Sequence, residues 1–161
     1  MEPIVLRPFQ EIGVKFLTER RGALLTDEQG LGKTVQAVWA AKEIARGPIL
    51  VISRPLNKRF WRQTIKTIDP LAPVITTYEG GHFNEETVKV WFKYPRARCY
   101  LIIHHESLRL QEKLLKSFGI WDVIIADEAH RFKNRKSQMT RCLKSIPAFV
   151  RWGLTGTPME K

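Results

Sequence analysis

The fold is decided by the stretch A-L-L-T-D-E-Q-G-L-G-K-T, which occupies residues 23–34. Its first residues are short and apolar, as expected of a strand. From Lys33 to Ala45 the apolar side chains recur with the period of a helix, and Gly47 with Pro48 ends that pattern. A strand, a glycine-containing turn and a helix therefore follow one another directly.

Further apolar runs follow, and each is continuous rather than alternating with polar residues. This is typical of strands whose two sheet faces are both covered. We predict strands over residues 23–26, 49–53, 74–78, 100–103, 123–126 and 149–154, and helices over residues 33–45, 57–68, 85–92 and 107–118. The alternation favours an α/β fold, a mainly parallel sheet with helices on both faces. We find no internal repeat or linker and expect one domain over residues 1–161.

The turn after the first strand has the chemistry of a phosphate-binding loop. Gly30 and Gly32 let the backbone turn tightly, so that its N–H groups and the helix N-terminus point at one anion. Lys33 is placed to reach β- and γ-phosphates, and the Thr34 hydroxyl to bind Mg²⁺. The strict pattern has glycine where this chain has Asp27. The alternative is a glycine-rich turn that caps a helix beside a surface lysine.

Two adjacent carboxylates, Asp127 and Glu128, end the apolar run at residues 123–126. Ligands of parallel sheets bind where the strands end. Asp127 is therefore predicted to hold Mg²⁺ through water, and Glu128 to polarise an attacking water as general base. The alternative is an acidic pair that only favours the start of a helix, and the phosphate loop upstream argues against it.

The charge balance indicates a polyanionic partner. The 161 residues include 27 Lys and Arg against 16 Asp and Glu, a net charge of +11. Nucleic acid is the first candidate, and a solvated basic surface is the alternative. Five basic residues without an acid lie in residues 53–68, and seven lie in residues 129–159. Such contacts position phosphates without reading sequence.

Several classes of protein are disfavoured. No apolar run approaches the roughly 18–20 residues that span a bilayer, and the N-terminus does not resemble a secretory signal. We therefore expect an intracellular protein without membrane contact. Cys99 and Cys142 have no metal-like spacing and are expected to be reduced, buried and inert. We also expect Trp39, Trp61 and Trp121 to lie in the core.

Six strings in order resemble the motifs of one family. They are the Q motif at residues 6–17, motif I in its D-E-x-G-L-G-K-T variant at residues 27–34, motif Ia at residues 50–56 with Trp61, a divergent T-T-Y-E-x-L segment at residues 102–108, motif II at residues 121–134 and motif III at residues 154–158. Together they resemble the first RecA-like lobe of a Swi/Snf-type ATPase of helicase superfamily two. The D-E-A-H box is shared with RNA helicases, but T-G-T-P in motif III points away from them.

This resemblance implies an ATP- and Mg²⁺-dependent lobe of a translocase on duplex DNA, and it implies roles for individual residues. Gln10 would read adenine, and the other nucleotide-binding residues would be Gln29, Gly30, Leu31, Gly32, Lys33 and Thr34. Lys33, Asp127 and Glu128 would be catalytic, with Thr34 and Asp127 at the metal. His130, Thr155, Gly156 and Thr157 would couple nucleotide state to DNA. Ser53, Arg54, Pro55, Lys58 and Arg59 would contact DNA.

The chain also departs from the family. His104 and His105 stand where the family has Thr and Tyr; we interpret them as a neutral polar substitution at a strand end, with an altered DNA contact as the alternative. Motifs IV–VI of a second RecA-like lobe, which supplies arginine fingers, are absent. We therefore expect this chain alone to bind ATP–Mg²⁺ weakly and to hydrolyse it slowly, because an arginine finger is worth about 10³–10⁵ in rate.

Two other functions stay open from the sequence. A lone lobe could bind DNA or a partner helicase without turnover. A small P-loop NTPase acting on a small molecule would leave the charge and the T-G-T-P string unexplained.

Overall fold

The computed structural model describes residues 4–77, 82–93 and 97–156. The strands are β1 (Gly22–Leu25), β2 (Pro48–Ser53), β3 (Val74–Thr76), β4 (Cys99–His104), β5 (Trp121–Asp127) and β6 (Ala148–Leu154). The helices are α1 (Pro8–Thr18), α2 (Lys33–Ile44), α3 (Lys58–Ile68), α4 (Glu85–Lys93), α5 (His105–Leu110), α6 (Glu112–Ser117) and α7 (Gln138–Ser145). Short 3₁₀ turns lie at Pro55–Asn57 and Ala129–Phe132.

The sheet has six strands in the order β1-β6-β5-β2-β4-β3, and every neighbouring pair is parallel. All six predicted strands are present, so the predicted parallel α/β class is confirmed. The last residue of the third predicted strand, Tyr78, lies outside the described residues. Because the strands are parallel, the loops after β1, β2, β5 and β6 all emerge at one edge, where the predicted motifs lie.

Helices cover both faces of the sheet, as predicted. On β2, Ile49 and Val51 pack with α1, α2 and α3 in one buried cluster, whereas Leu50 and Ile52 pack with α4 to α7 in a second. Successive side chains of a strand point to opposite faces, so a strand covered on both sides must be apolar throughout. All six residues of β2 are buried.

Three helix assignments need correction. The stretch 107–118, predicted as one helix, is two helices separated at Gln111. The ψ angle of Gln111 is 4°, which turns the chain, although its backbone N–H still donates to the Ser107 carbonyl. Helices α1 and α7 were not predicted. Helix α1 begins with Pro8, a residue favoured at the first helical position, and α7 is only eight residues long and mostly polar.

The core predictions hold except at one tryptophan. Trp61 and Trp121 are buried, but Trp39 is half-buried, with the Lys42 ammonium 5.8 Å from its ring centre. Cys99 and Cys142 are free and buried, and burial raises the pKa of each thiol to about 12. In the part of the chain that the structure describes, no helix is both long and apolar enough to cross a bilayer.

Candidate active site

The phosphate loop closes on its own lysine. Gly30 and Gly32 have positive φ angles of 85° and 76°, which only glycine adopts without strain. Gly32 thereby caps the N-terminus of α2. The Lys33 ammonium donates to the carbonyls of Asp27 at 2.6 Å and Glu28 at 2.7 Å. The ammonium therefore lies inside the loop.

Gln36 holds the far side of this loop and was not predicted. It is fully buried, and its amide donates to the Asp27 carboxylate at 3.0 Å and to the Leu31 carbonyl at 3.3 Å. A Cβ added to Gly13 would lie 1.7 Å from the Gln36 amide oxygen, so only glycine leaves room for this side chain. Asp27, at the position where the strict phosphate-loop pattern has glycine, therefore anchors the turn through Gln36. The only sequence signal was a glutamine among the apolar residues of α2.

Gln10 lies against the same loop. Its amide nitrogen donates to the Leu31 carbonyl at 3.2 Å, and its amide oxygen accepts from the Arg7 backbone N–H at 3.0 Å. A Cβ at Gly32 would lie 2.4 Å from the Gln10 nitrogen. Helix α1 is therefore joined directly to the phosphate loop.

The Asp127 carboxylate is held by several donors. Oδ2 accepts from the Trp61 indole N–H at 3.1 Å and from the Asn57 amide at 3.3 Å, and Oδ1 accepts from the Glu128 backbone N–H at 3.0 Å. Its backbone carbonyl accepts from His105 Nε2 at 2.8 Å. Each carboxylate oxygen keeps further acceptor capacity for water or metal. The structure thus fixes both the strand end and the carboxylate direction.

Glu128 is the one non-glycine residue with positive φ among those that the structure describes, with φ 52° and ψ 50°. Such a conformation costs of order 1–3 kcal/mol. It turns the side chain towards the cleft, where Oε1 lies 3.7 Å from Arg54 Nη2 and Oε2 lies 3.3 Å from His130 Nδ1. His130 Nδ1 is also 3.3 Å from the Thr155 hydroxyl. One chain of contacts therefore joins Glu128 to Thr155, the residue that follows β6.

Motif III presses on the phosphate loop. A Cβ at Gly156 would lie 2.6 Å from Gln29 Cγ and 3.3 Å from Lys33 Nζ. The buried Thr155 donates its backbone N–H to Leu25, at the end of β1. Thr157, the other predicted coupling residue in motif III, lies outside the described residues.

One cleft of about 390 Å³ brings most of these groups together. Its lining residues are Gln29, Gly30, Gly32, Lys33, Thr34, Arg54, Asn57, Phe60, Asp127, Glu128 and Gly156. A wider groove of about 560 Å³, beside α1, contains none of the predicted site residues. The Thr34 hydroxyl and the Asp127 carboxylate are oxygen donors of the kind that Mg²⁺ prefers, and they line the same cleft.

His105, at the start of α5, supports the acidic strand end. It is fully buried and its ring lies 5.7 Å from that of Phe132. A carbonyl oxygen only accepts, so Nε2 carries the proton and Nδ1 has no hydrogen-bond partner in the described ranges. Burial lowers the pKa of His105, and the charge of Arg131 lowers it further.

The predicted DNA-contacting residues differ in exposure. Arg54, Pro55 and Arg59 are exposed, and Lys58 donates to the Thr77 carbonyl at 2.6 Å. Ser53 is fully buried and its hydroxyl donates to the Arg54 carbonyl. Its side chain is therefore part of the sheet end and not of the surface.

The second basic stretch is mostly exposed. Its exposed members are Arg131, Lys133, Arg135, Lys136, Arg141 and Lys144. Arg151 instead donates to the carbonyls of Ala148 and Ile146, so its guanidinium has a structural role.

Comparison with known proteins gives a consistent result. The family described as SNF2-related domain matches residues 9–161. The chain is 33% identical over 166 residues to the chromodomain-helicase-DNA-binding protein 1-like of Danio rerio, covering 98% of this chain and 16% of that protein. It is 31% identical over 175 residues to the human DNA repair and recombination protein RAD54B, covering 96% and 19%. The chain thus spans less than a fifth of the length of these two relatives.

The fold has a close structural counterpart. The Sulfolobus solfataricus SWI2/SNF2 ATPase core, solved in complex with dsDNA, superposes with a TM-score of 0.78 at 22% identity, covering 99% of this chain and 34% of that one. This likeness confirms the predicted RecA-like fold. Because the family match runs through nearly the whole sequence, the chain belongs to the SNF2-related domain family, as the first lobe of a Swi/Snf-type ATPase.

Proposed function

We propose that this chain is the ATP-binding lobe of an ATPase that depends on double-stranded DNA and translocates along it. The observation that carries the proposal is the single cleft in which Lys33 and Thr34 of the phosphate loop face Asp127 and Glu128 of β5, with the exposed Arg54 at its rim. Family membership and a relative named for DNA repair support it.

In this proposal, ATP and Mg²⁺ bind across the cleft. Lys33 and the N-terminus of α2 hold the β- and γ-phosphates, because an ammonium and free backbone N–H groups favour that charge. Thr34 and Asp127 hold the metal, which when bound neutralises the phosphate charge that develops during hydrolysis. Glu128 orients the attacking water and accepts its proton. Gln10 reads the adenine edge.

Coupling to DNA is assigned to the contacts between β5, β6 and the loop. His130 joins Glu128 to Thr155, and Gly156 lies against Gln29 and Lys33. A shift of β6 would therefore reach both the base and the phosphate-binding lysine. Thr157 keeps its predicted coupling role.

Duplex DNA is assigned to residues after β2, namely the exposed Arg54, Pro55 and Arg59 and the half-buried Lys58, with Ser53 supporting them from beneath. Phosphate contacts release counterions, so affinity should fall steeply with salt. A second RecA-like lobe is proposed to close against the cleft and to supply the arginine finger. A DNA substrate also implies an intracellular location.

The test is Mg²⁺-dependent binding of a fluorescent ATP analogue, together with ATP hydrolysis with and without duplex DNA at low salt. We expect nucleotide binding that Lys33→Ala weakens, and duplex binding that weakens with salt. We expect slow hydrolysis by residues 1–161 alone, since the arginine finger is proposed to come from a second lobe. Duplex binding without any Mg²⁺-dependent nucleotide binding would instead support a non-catalytic lobe that only binds DNA.

A further inference from the structure

The segment of residues 54–61, between β2 and α3, contacts both carboxylates of the acidic pair. Asn57 and Trp61 donate to Asp127 Oδ2, and Arg54 lies against Glu128 Oε1. The same segment carries Arg54, Lys58 and Arg59, the basic residues assigned to DNA. One short segment thus faces the proposed DNA track on one side and the hydrolytic site on the other.

Strand register explains why these residues meet. Strands β2 and β5 are neighbours, and Ile52 pairs with Ala126. Arg54 and Glu128 each lie two residues beyond that pair, so both leave the sheet at the same point. Two hydrogen bonds to Asp127 anchor the segment there, so the Arg54 side chain can change partner without movement of the backbone around it.

The two partners of the Arg54–Glu128 pair are unequally accessible. The Arg54 side chain is 48% exposed, whereas that of Glu128 is 19% exposed. The other Glu128 oxygen, Oε2, lies 3.3 Å from His130 Nδ1, so this contact remains when Arg54 leaves. An anion from solution can therefore reach the guanidinium while the carboxylate stays in place.

We propose that Arg54 is a positioning residue that senses DNA by exchanging partners. Without duplex it pairs with Glu128, and with duplex it pairs with a backbone phosphate, which leaves the Glu128 carboxylate free to act on water. This inference rests on the proposed function and gives it a means of regulation. A partly exposed ion pair at 3.7 Å is weak, and a phosphate offers the guanidinium a bidentate alternative.

The exchange makes a prediction for DNA affinity that needs no hydrolysis. If Glu128 competes with phosphate for Arg54, Glu128→Gln should tighten duplex binding about two- to five-fold, the range expected for an exposed pair. In an Arg54→Gln background the same substitution should have no effect. Arg54→Lys, which keeps the charge, should retain part of the gain.

The experiment is a double-mutant cycle on the chain, with fluorescence anisotropy of a labelled duplex of mixed sequence at fixed low salt. Arg59 provides the matched control: it is exposed on the same segment, and no ion pair joins it to Glu128 in the part of the chain described. The Arg59→Gln and Glu128→Gln cycle should be additive. Thermal unfolding of each variant checks that none of them acts by loosening the fold.

The outcomes separate the two proposals. The exchange is supported if the effects of Glu128→Gln and Arg54→Gln on duplex affinity are not additive while those of Glu128→Gln and Arg59→Gln are. If Glu128→Gln raises duplex affinity equally with and without Arg54, the exchange is overturned, because the gain then comes from general removal of negative charge. The proposed function survives that result. Absence of salt-sensitive duplex binding by the unmodified chain overturns the proposed function and the exchange together.

Discussion

The phosphate loop and the acidic strand end line one cleft, yet they are held in different ways. The loop is held by near neighbours, since Lys33 bonds to carbonyls five and six residues away and Gln36 to a carboxylate nine residues away. Asp127 is held by Asn57 and Trp61, which lie 70 and 66 residues away. One half of the site is therefore local structure, and the other half depends on the folded sheet.

Substitutions in the two halves of the site should therefore have different effects. A change in the loop should alter nucleotide binding while the fold persists. A change at Trp61, which holds Asp127 from a distance and also belongs to the core, should alter stability as well.

Trp61→Ala should have the largest effect, on stability. The side chain is fully buried, and removing a large aromatic from a core costs about 3–5 kcal/mol in the free energy of unfolding. Urea denaturation measures the loss. Trp61→Phe should lower the free energy of unfolding by less, since it keeps most of the packing. It still loses the hydrogen bond to Asp127. The exposed Arg62→Ala is the control, expected to stay within about 0.5 kcal/mol. A Trp61→Ala protein of unchanged stability would contradict the contrast.

Lys33→Ala should act on binding and not on folding. Hydrogen bonds from a charged group contribute about 1.5–3 kcal/mol, so affinity for a fluorescent ATP analogue should fall about 10- to 100-fold. The urea midpoint should hardly change. Lys113→Ala, which removes an exposed lysine on α6, should leave affinity as it was. Equal affinities for the two variants would show that the loop does not hold phosphate through Lys33.

Gly156→Ala tests the contact between the two halves. The added methyl would meet Gln29 Cγ and approach Lys33 Nζ. The Gln29 side chain is exposed and can move, so we expect a loss at the low end of the overpacking range, about 1 kcal/mol in the free energy of unfolding. Nucleotide affinity should weaken as well, because the methyl lies beside Lys33 Nζ. At Gly22 nothing lies within 4 Å of an added Cβ, which makes Gly22→Ala the matched control. If the Gly156→Ala and Gly22→Ala variants differ in unfolding midpoint but bind the nucleotide equally well, the strain lies outside the nucleotide site.

The smallest expected effect is on pH dependence. Burial lowers the pKa values of both His104 and His105, and the charges of Lys58 and Arg131 respectively act in the same direction. Opposing them, Glu106 raises both, and the bond to Asp127 raises the pKa of His105. The folded state therefore prefers neutral rings.

The contribution of these two histidines to the free energy of unfolding is therefore fully present above the ordinary histidine pKa of about 6.5. It declines as pH falls from there towards the lowered pKa values of the folded state. Urea midpoints measured between pH 8 and pH 5 check this. His105→Gln should flatten part of the decline. A slope unchanged in that variant would mean that the decline comes from other groups.

Most of the fold could be predicted, because strands buried on both faces are apolar throughout and need no knowledge of their neighbours. All six predicted strands are present in the structure. Helix α7 could not be predicted because it is short and its exposed face is polar. Its formation depends on packing against α5, where the Cys142 thiol donates to the Leu108 carbonyl. The break between α5 and α6 likewise depends on the burial of Gln111, which local helix propensity does not encode.

For the site, the motif residues could be predicted but their supports could not. Ser53 looked like a surface contact from its place in the motif, and only the buried end of β2 shows that its side chain is enclosed. Asn57, Trp61 and His105 gave no sign of pointing at Asp127. Such contacts arise from strand order, which a single sequence does not reveal.

The parallel α/β class, the glycine-containing turn before α2 and the acidic end of β5 could all be predicted, because each follows from residue types close together in the chain. The position of β2 beside β5, which brings Arg54, Asn57 and Trp61 to the two carboxylates, is visible only in the folded sheet. The distance over which each kind of interaction acts explains the difference. Turn geometry and helix capping act over a few residues, whereas the direction of a carboxylate is set by whatever the folded sheet places beside it.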